Sequence, residues 1–269
     1  MIVRRLGWAG IEVEAEGATL LIDHVEDVSG LEPFVGPPHG PLPAPSRTGA
    51  VGALVTHLHA DHCDAGALAR ALAAGAPVLR PEPAQGGGLE TAALTEAEQG
   101  IERQGLAAHA VAPWERARLG PFTVTALPAV DGFGDPQVSW AVEAGGHRIL
   151  HAGDTLFHGF WWLSRMRAGP FDAVFLPVNG AVVDLPHRQP PSPLGADMDP
   201  EQAALAASLL QAGLAVPIHY DTLDGPPVYT QVDDPVGRFV AACDAAGVES
   251  RVLATGDSLD LTRRPERTP

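Results

Sequence analysis

The chain has 269 residues, of which 45% are hydrophobic, and this composition is typical of a folded globular protein. It carries 17 basic and 33 acidic residues, and a formal net charge of −16 argues against binding to nucleic acid or to an anionic membrane surface. Two cysteines, no apolar run long enough to span a membrane and no signal-peptide core at the start predict a cytoplasmic protein that does not insert into membranes.

The first half of the sequence alternates strands with loops and helices. Three short strands separated by glycines are predicted at residues 2–3, 11–14 and 19–22. A loop rich in proline and glycine follows at 29–49, and a buried strand is predicted at 51–56. The alanine- and leucine-rich stretch 64–74 and the stretch 91–104 are predicted to be helices.

The second half begins with strands and ends with alternating helices and strands. The predicted strands lie at 122–127, 137–143, 147–151, 171–178, 215–220, 251–254 and 258–262. Asp199, Pro200 and Gln202 form a capping-box pattern, which predicts a helix that runs to about Gln211. A second capped helix is predicted from Asp234 to Gly247. No linker divides the chain, so we expect one α/β domain over residues 1–269.

The most informative segment is Thr56-His57-Leu58-His59-Ala60-Asp61-His62. Three imidazoles and one carboxylate within six residues form a donor set suited to a divalent metal ion. Because the segment lies between a predicted strand and a predicted helix, its side chains can converge at the edge of a sheet. Chance would give such a cluster in a chain of this composition only about once per thousand chains, which disfavours a surface histidine cluster.

The sequence His57-Leu58-His59-Ala60-Asp61-His62 resembles the H-x-H-x-D-H signature of the metallo-β-lactamase superfamily. The opening strands that end at Asp23, the segment Ala152-Gly153-Asp154-Thr155 and the segment Val216-Pro217-Ile218-His219-Tyr220 resemble further parts of that family in the same order. Met198-Asp199-Pro200, followed by a helix and the last histidine, resembles the branch of ascorbate-6-phosphate lactonase and N-acyl-phosphatidylethanolamine phospholipase D-like proteins.

This resemblance implies a four-layer αββα sandwich with one or two divalent metal ions, most simply Zn²⁺, with Mn²⁺ or Fe²⁺ as alternatives. It assigns His57 and His59 to the first metal, and Asp61, His62 and His219 to the second. Asp154 would bridge the two ions. The implied reaction is attack by a metal-bound hydroxide, with Asp61 and Asp154 as catalytic residues.

One position departs from the family pattern. The family supplies another histidine in the segment that here reads Leu127-Pro128-Ala129-Val130-Asp131-Gly132-Phe133, and Asp131 stands in its place. A carboxylate can ligate a metal through oxygen, so Asp131 is a candidate ligand. The alternatives are weaker binding of the first metal, a different metal or loss of activity.

Candidate substrate contacts are Phe133, Trp161 and Tyr220. Trp161 lies close after Asp154 and has two interpretations, a wall of the substrate pocket or part of the hydrophobic core. Asn179 is a further candidate hydrogen-bond donor. Arg188 and His187 lie in a proline-rich loop. They have two interpretations, contact with an anionic group of the substrate or simple exposure to solvent.

The function expected from these features is metal-dependent hydrolysis of a small ester, lactone or phosphoester. One alternative is an iron-dependent oxidoreductase on the same fold. His59 stands where diiron members carry glutamate, which counts against a diiron enzyme and leaves a mononuclear iron dioxygenase as the alternative. The other is a non-catalytic relative that binds metal, and Asp131 is its only support in the sequence. The expected partner is a small-molecule substrate, with a homo-oligomer left open.

Overall fold

Two large β-sheets, a two-stranded sheet and six α-helices make up the computed structural model, which describes residues 1–88, 90–186 and 188–263. The strands are β1 (Ile2–Arg5), β2 (Ile11–Ala15), β3 (Ala18–Ile22), β4 (Ala53–Leu54), β5 (Pro77–Pro81), β6 (Ala107–Val111), β7 (Arg116–Leu119), β8 (Phe122–Pro128), β9 (Val138–Ala144), β10 (His147–His151), β11 (Ala173–Pro177), β12 (Val182–Val183), β13 (Ala215–Ile218), β14 (Tyr229–Thr230) and β15 (Ser258–Asp260). The helices are α1 (Glu32–Val35), α2 (Ala65–Ala71), α3 (Ala92–Arg103), α4 (Trp161–Ala168), α5 (Pro200–Leu210) and α6 (Pro235–Ala246).

Both large sheets are mixed. The first has the strand order β15-β1-β2-β3-β4-β5-β6, with β3 to β6 parallel to one another. The second has the order β13-β11-β10-β9-β8-β7, with β10, β11 and β13 parallel. A small pair of strands, β12 and β14, lies apart from both. The parallel strands of each sheet direct their carboxyl ends to one edge, as the metal-binding motif requires.

Side chains that alternate along the strands build three hydrophobic layers. On β11, Phe175 packs between the two sheets, while the neighbouring Val174 and Leu176 face helices α4, α5 and α6. On the other side of the molecule, β4 and β5 pack against α2 and α3. The order helix, sheet, sheet, helix is the predicted four-layer αββα sandwich.

Helix starts follow local capping chemistry. The Asp64 side chain accepts a hydrogen bond from the backbone N–H of Ala67 and caps α2 directly after the histidine motif. The predicted capping box at α5 is present, with Asp199 and Gln202 bonded reciprocally. The Asp234 side chain caps α6, and Gly247 ends it.

Several predicted elements were wrong or incomplete. Residues 251–254 form no strand, and this segment instead makes isolated backbone contacts with Ala215. Helix α4 and strands β5, β6 and β7 were not predicted. None of the helices that the structure describes is both long and apolar enough to cross a membrane.

Candidate metal centre

The histidines and carboxylates of the sequence motifs converge where strands end. The motif His57–His62 follows β4, Asp131 follows β8, Asp154 follows β10 and His219 follows β13. Strand β9 is antiparallel to both β8 and β10, so β8 and β10 run in the same direction, and β13 is parallel to β10 through β11. The carboxyl ends of β8, β10 and β13 therefore lie at the same edge of the second sheet. The fold therefore brings residues separated by more than 150 positions into one cleft.

Their donor atoms form three overlapping groups. In each group, atoms able to bind a metal lie within 4.8 Å of one another; the groups are His57, His59, Asp131 and Asp154; His57, Asp61 and His62; and His62, Asp154 and His219. All seven residues that the sequence predicted as ligands occur in these groups, and His57, His62 and Asp154 each belong to two of them.

Two histidine nitrogens in the centre are buried and have no hydrogen-bond partner among the residues that the structure describes. These are Nε2 of His62 and Nε2 of His219. Each lies 3.6 Å from Oδ2 of Asp61, and their distances to Oδ2 of Asp154 are 3.6 and 3.8 Å. A buried polar atom without a partner is costly, so this arrangement leaves room for a group that would bind both nitrogens.

Carboxylates hold the far side of three imidazole rings. Nδ1 of His62 lies 2.9 Å from Oδ2 of Asp23, and Nδ1 of His219 lies 2.8 Å from Oδ2 of Asp197. Nε2 of His59 lies 2.9 Å from Oδ2 of Asp135. Such contacts fix the tautomer and orientation of a ring, and they leave the opposite nitrogen facing the cleft.

Asp131 is held by its own loop. Its Oδ1 accepts hydrogen bonds from the backbone N–H groups of Phe133 (2.7 Å) and Asp135 (3.0 Å). Its Oδ2 lies 3.9 Å from Nδ1 of His59, and the side chain is almost completely buried. The turn thus uses one oxygen of the carboxylate and leaves the other on the side of the histidines.

Trp8 is a component of the centre that sequence reasoning missed. Its indole N–H donates to Oδ2 of Asp61 at 3.0 Å, and its ring packs against that of His219 with the centroids 3.9 Å apart and the planes tilted by 39°. The backbone N–H of His219 donates to the carbonyl of Trp8. In the sequence it is a single tryptophan between glycines in the turn from β1 to β2, and no motif there indicates a contact with the metal centre.

Unusual backbone conformations accompany these contacts. Trp8, Asp23 and His219 have positive φ angles of 45°, 46° and 59°, a conformation that costs energy for residues other than glycine. Gly153 has φ 70°, and a Cβ atom there would lie 2.9 Å from the side chain of Thr56. Glycine is therefore required immediately before Asp154.

The charges of the centre shift the pKa values of its members in opposite directions. Burial raises the pKa of Asp154 to about 6, against the opposing effect of His62 and His219. Burial acts in the same direction on Asp61, but the same two imidazoles outweigh it and hold the pKa of Asp61 well below its ordinary value. Burial would lower the pKa of His62, yet the carboxylates of Asp154, Asp61 and Asp23 raise it to about 10.

The three predicted substrate contacts lie in different environments. Phe133 is partly exposed beside the centre, with its ring centroid 5.9 Å from that of His59. Trp161 was placed wrongly at the substrate pocket: it is 1% exposed and packs in the hydrophobic layer between the second sheet and the helices, stacked on His158. Tyr220 is also misplaced, because its hydroxyl donates to the carbonyl of Leu253 and the guanidinium of Arg5 covers its ring.

The proline-rich loop reaches the centre through Arg188. Its guanidinium stacks on the ring of Phe133, donates to the Phe133 carbonyl and lies 3.2 Å from Oδ2 of Asp135. The other candidate of this loop, His187, lies outside the described residues.

Asn179 and Tyr229 lie next to His219. The Oδ1 of Asn179 lies 3.3 Å from Nδ1 of His219, and its Nδ2 donates to the hydroxyl of Tyr229 at 2.8 Å. Burial and the carboxylates of Asp197 and Asp61 raise the pKa of Tyr229. Tyr229 was not singled out in the sequence, because β14 is only two residues long and follows a loop.

Comparison with known proteins identifies a relative by sequence and solved structures with a similar fold. The chain is 28% identical to a UPF0173 metal-dependent hydrolase of Carboxydothermus hydrogenoformans over 97% of this chain and 100% of that protein. The structure of Igni18, a metallo hydrolase from Ignicoccus hospitalis, aligns with a TM-score of 0.64 and 20% identity over 96% of this chain and 97% of the other. CmlA, a diiron β-hydroxylase from Streptomyces venezuelae, aligns with a TM-score of 0.70 and 16% identity over 96% of this chain and 53% of the other.

These findings bear directly on the predictions. At such low identities, the structural similarities concern the fold, and they confirm the αββα sandwich. The full-length relative confirms that the protein is a hydrolase. The family model described as a beta-lactamase superfamily domain matches residues 18–220. This match covers most of the chain, and the protein therefore belongs to the beta-lactamase superfamily.

Proposed function

We propose that the protein holds one or two divalent metal ions in the cleft and hydrolyses a small ester, lactone or phosphoester. The observation that carries this proposal is the pair of buried nitrogens, Nε2 of His62 and Nε2 of His219. Within the described part of the chain they have no hydrogen-bond partner, and they face the carboxylates of Asp61 and Asp154. Imidazole nitrogens that face ionised oxygens at this spacing suit a shared cation.

The donor set fits such ions in number and in kind. His57, His59 and Asp131 would hold one ion, and Asp61, His62 and His219 would hold the other, with Asp154 between them. The predominance of imidazole makes Zn²⁺ the expected ion, although the oxygen of Asp131 also suits Mn²⁺ or Fe²⁺. Bound there, the ions would activate water and polarise the scissile bond.

The protein's own residues would position the reactants. The low pKa of Asp61 keeps it an ionised hydrogen-bond acceptor, and the indole of Trp8 fixes its orientation. Asp61 can therefore orient the attacking water by accepting a hydrogen bond from it. The water oxygen bonds to the electrophilic carbon or phosphorus, the bond to the leaving oxygen breaks, and that oxygen takes up a proton.

A panel of simple substrates tests this proposal. The purified protein, loaded with Zn²⁺ or Mn²⁺, would be assayed with p-nitrophenyl acetate, dihydrocoumarin and bis(p-nitrophenyl) phosphate. We expect turnover of at least one of them, and a loss of about a hundredfold or more in Asp61→Asn. The control is Asp244→Asn, which changes an exposed carboxylate on α6. A fully loaded protein that turned over none of the three would contradict the proposed substrate class.

An iron oxygenase is a second candidate. His57, His59 and Asp131 form a set of two histidines and one carboxylate, which is the ligand type of non-haem Fe²⁺ oxygenases. Anaerobic loading with Fe²⁺, followed by measurement of oxygen uptake with a thiol substrate such as cysteine, tests this alternative. Oxygen uptake combined with no hydrolysis of the panel would favour it over hydrolysis.

A further inference from the structure

The chain has two tyrosines, and their hydroxyl groups have different environments. The hydroxyl of Tyr220 donates to the Leu253 carbonyl at 3.2 Å and is used entirely within the fold. The hydroxyl of Tyr229 accepts a hydrogen bond from Nδ2 of Asn179 at 2.8 Å. Among the described residues, no acceptor is found for the Tyr229 hydroxyl hydrogen, so it remains available to donate.

The backbone of Tyr229 is held firmly on both sides. Its N–H and its carbonyl both bond to Gly225 in a tight turn, and in β14 it pairs with Val183 of β12. The N–H of Val232 donates to the carbonyl of Asn179, which ties the same segment to the end of β11. A side chain on so well fixed a backbone suits a positioned hydrogen-bond donor, since little ordering is needed when a ligand binds.

Contacts around Tyr229 link its side chain to residues that position the metal centre. Asn179, which donates to this hydroxyl, lies 3.3 Å from Nδ1 of His219. The rings of Tyr229 and Trp8 have centroids 6.4 Å apart, and Trp8 in turn contacts both His219 and Asp61. Because burial and the charges of Asp197 and Asp61 raise the pKa of Tyr229, its hydroxyl keeps its proton at neutral pH.

We propose that Tyr229 is a catalytic residue whose hydroxyl donates a hydrogen bond to the carbonyl or phosphoryl oxygen of the substrate. This inference rests on the proposed function. As water adds, negative charge develops on that oxygen, and a fixed neutral donor in a partly buried site stabilises the charge. A donor in this role requires a substrate with a C=O or P=O group at the point of hydrolysis, and Tyr229 would take the substrate contact predicted for Tyr220.

The test compares Tyr229→Phe with the matched control Tyr220→Phe, which removes the same atom from the other tyrosine. The probe is inorganic phosphate, a tetrahedral oxyanion, titrated calorimetrically into the metal-loaded proteins. Losing one hydrogen bond to a charged oxygen should weaken phosphate binding about tenfold or more in Tyr229→Phe. Tyr220→Phe should bind phosphate as the wild type does, and both variants should retain the wild-type metal content and far-UV circular dichroism.

Three results would overturn the inference. The first is an unchanged phosphate affinity in Tyr229→Phe, and the second is the absence of phosphate binding by the metal-loaded wild type. The third is loss of metal from Tyr229→Phe, which would indicate that the tyrosine acts only through Asn179 on His219. A wild type that holds no metal after loading would instead remove the proposed function, so the two failures are distinguishable. With p-nitrophenyl acetate, kcat of Tyr229→Phe should fall by a larger factor than KM changes.

Discussion

The carboxylate of Asp135 and the imidazole of His59 form a partly buried pair, with Oδ2 of Asp135 2.9 Å from Nε2 of His59. Nδ1 of the same ring faces Nε2 of His57 at 2.8 Å. The pair therefore determines which nitrogen of His59 is directed toward the cleft. Arg188 holds the carboxylate from the other side.

Replacing Asp135 should weaken metal binding without unfolding the protein. Asp135→Asn removes the charge that orients His59, and loss of such a contact typically lowers metal affinity by about ten- to a hundredfold. The measurement is competitive metal loading against a chromophoric chelator, with Asp244→Asn as the control. Unchanged affinity in Asp135→Asn would show that its contact with His59 does not support a ligand.

Substitutions at Asp131 should change metal preference. Asp131→Asn retains an oxygen for the backbone N–H groups of Phe133 and Asp135 but removes the charge, so affinity for Mn²⁺ should fall about tenfold or more. Asp131→His introduces a softer donor and should shift preference toward Zn²⁺. Loading from an equimolar mixture of the two ions measures both effects. If neither variant changes the ratio of bound ions, Asp131 is not a ligand.

Asp154→Ala should remove more metal than either His57→Ala or His219→Ala. The reason is that a carboxylate between the two ions would serve both, since Asp154 shares one donor group with His57 of the first ion and another with His219 of the second. Metal per chain would be measured by elemental analysis after identical loading and desalting. Retention of the full metal content by Asp154→Ala would show that this carboxylate does not bridge two ions.

His158 should make the protein less stable in acid. Its ring stacks on Trp161, and its Nδ1 accepts from the N–H of Phe160, so burial lowers its pKa to about 4. Because this folded-state pKa lies below the ordinary value of 6.5, the unfolded chain takes up the proton first. The contribution of His158 to stability is thus complete above about pH 6.5 and is lost as the pH falls toward about 4.

His158→Asn retains an acceptor for Phe160 but does not titrate. Its free energy of unfolding should therefore decrease less than that of the wild type between about pH 7 and about pH 4.5, by roughly 2 kcal/mol. Urea denaturation at both pH values measures the difference. Parallel decreases in the two proteins would show that His158 is not held neutral by its surroundings.

Much of the architecture could be predicted because local chemistry and tertiary structure agree. The capping residues Asp199 and Gln202 begin α5, and the hydrophobic alternation of β8 and β9 matches the two faces of their sheet. Helix α4 was not predicted because no side chain caps its start. It also begins with two tryptophans of opposite exposure, the buried Trp161 and Trp162, which is 57% exposed, so its apolar residues do not follow one helical face. Strand β6 is rich in alanine, which has low strand preference.

At the site, the sequence motifs identified the candidate metal ligands, but they did not reveal contacts between segments that are far apart in the chain. His219 has a positive φ, so the chain turns there and carries Tyr220 toward Leu253 rather than toward the cleft. Contacts of Trp8 and Tyr229 depend on how remote segments meet, and no local pattern encodes them. The single domain, the cytoplasmic location and the choice of zinc stay predictions.

The metal content of the purified protein tests the central claim most directly. Protein prepared without chelator and reconstituted with Zn²⁺, Mn²⁺ or Fe²⁺ should retain one to two ions per chain after desalting, as the donor groups around Asp154 imply. An anomalous difference map of crystals should place them between His57, His59 and Asp131 or between Asp61, His62 and His219. Less than about a tenth of an equivalent of every ion would contradict a metal centre.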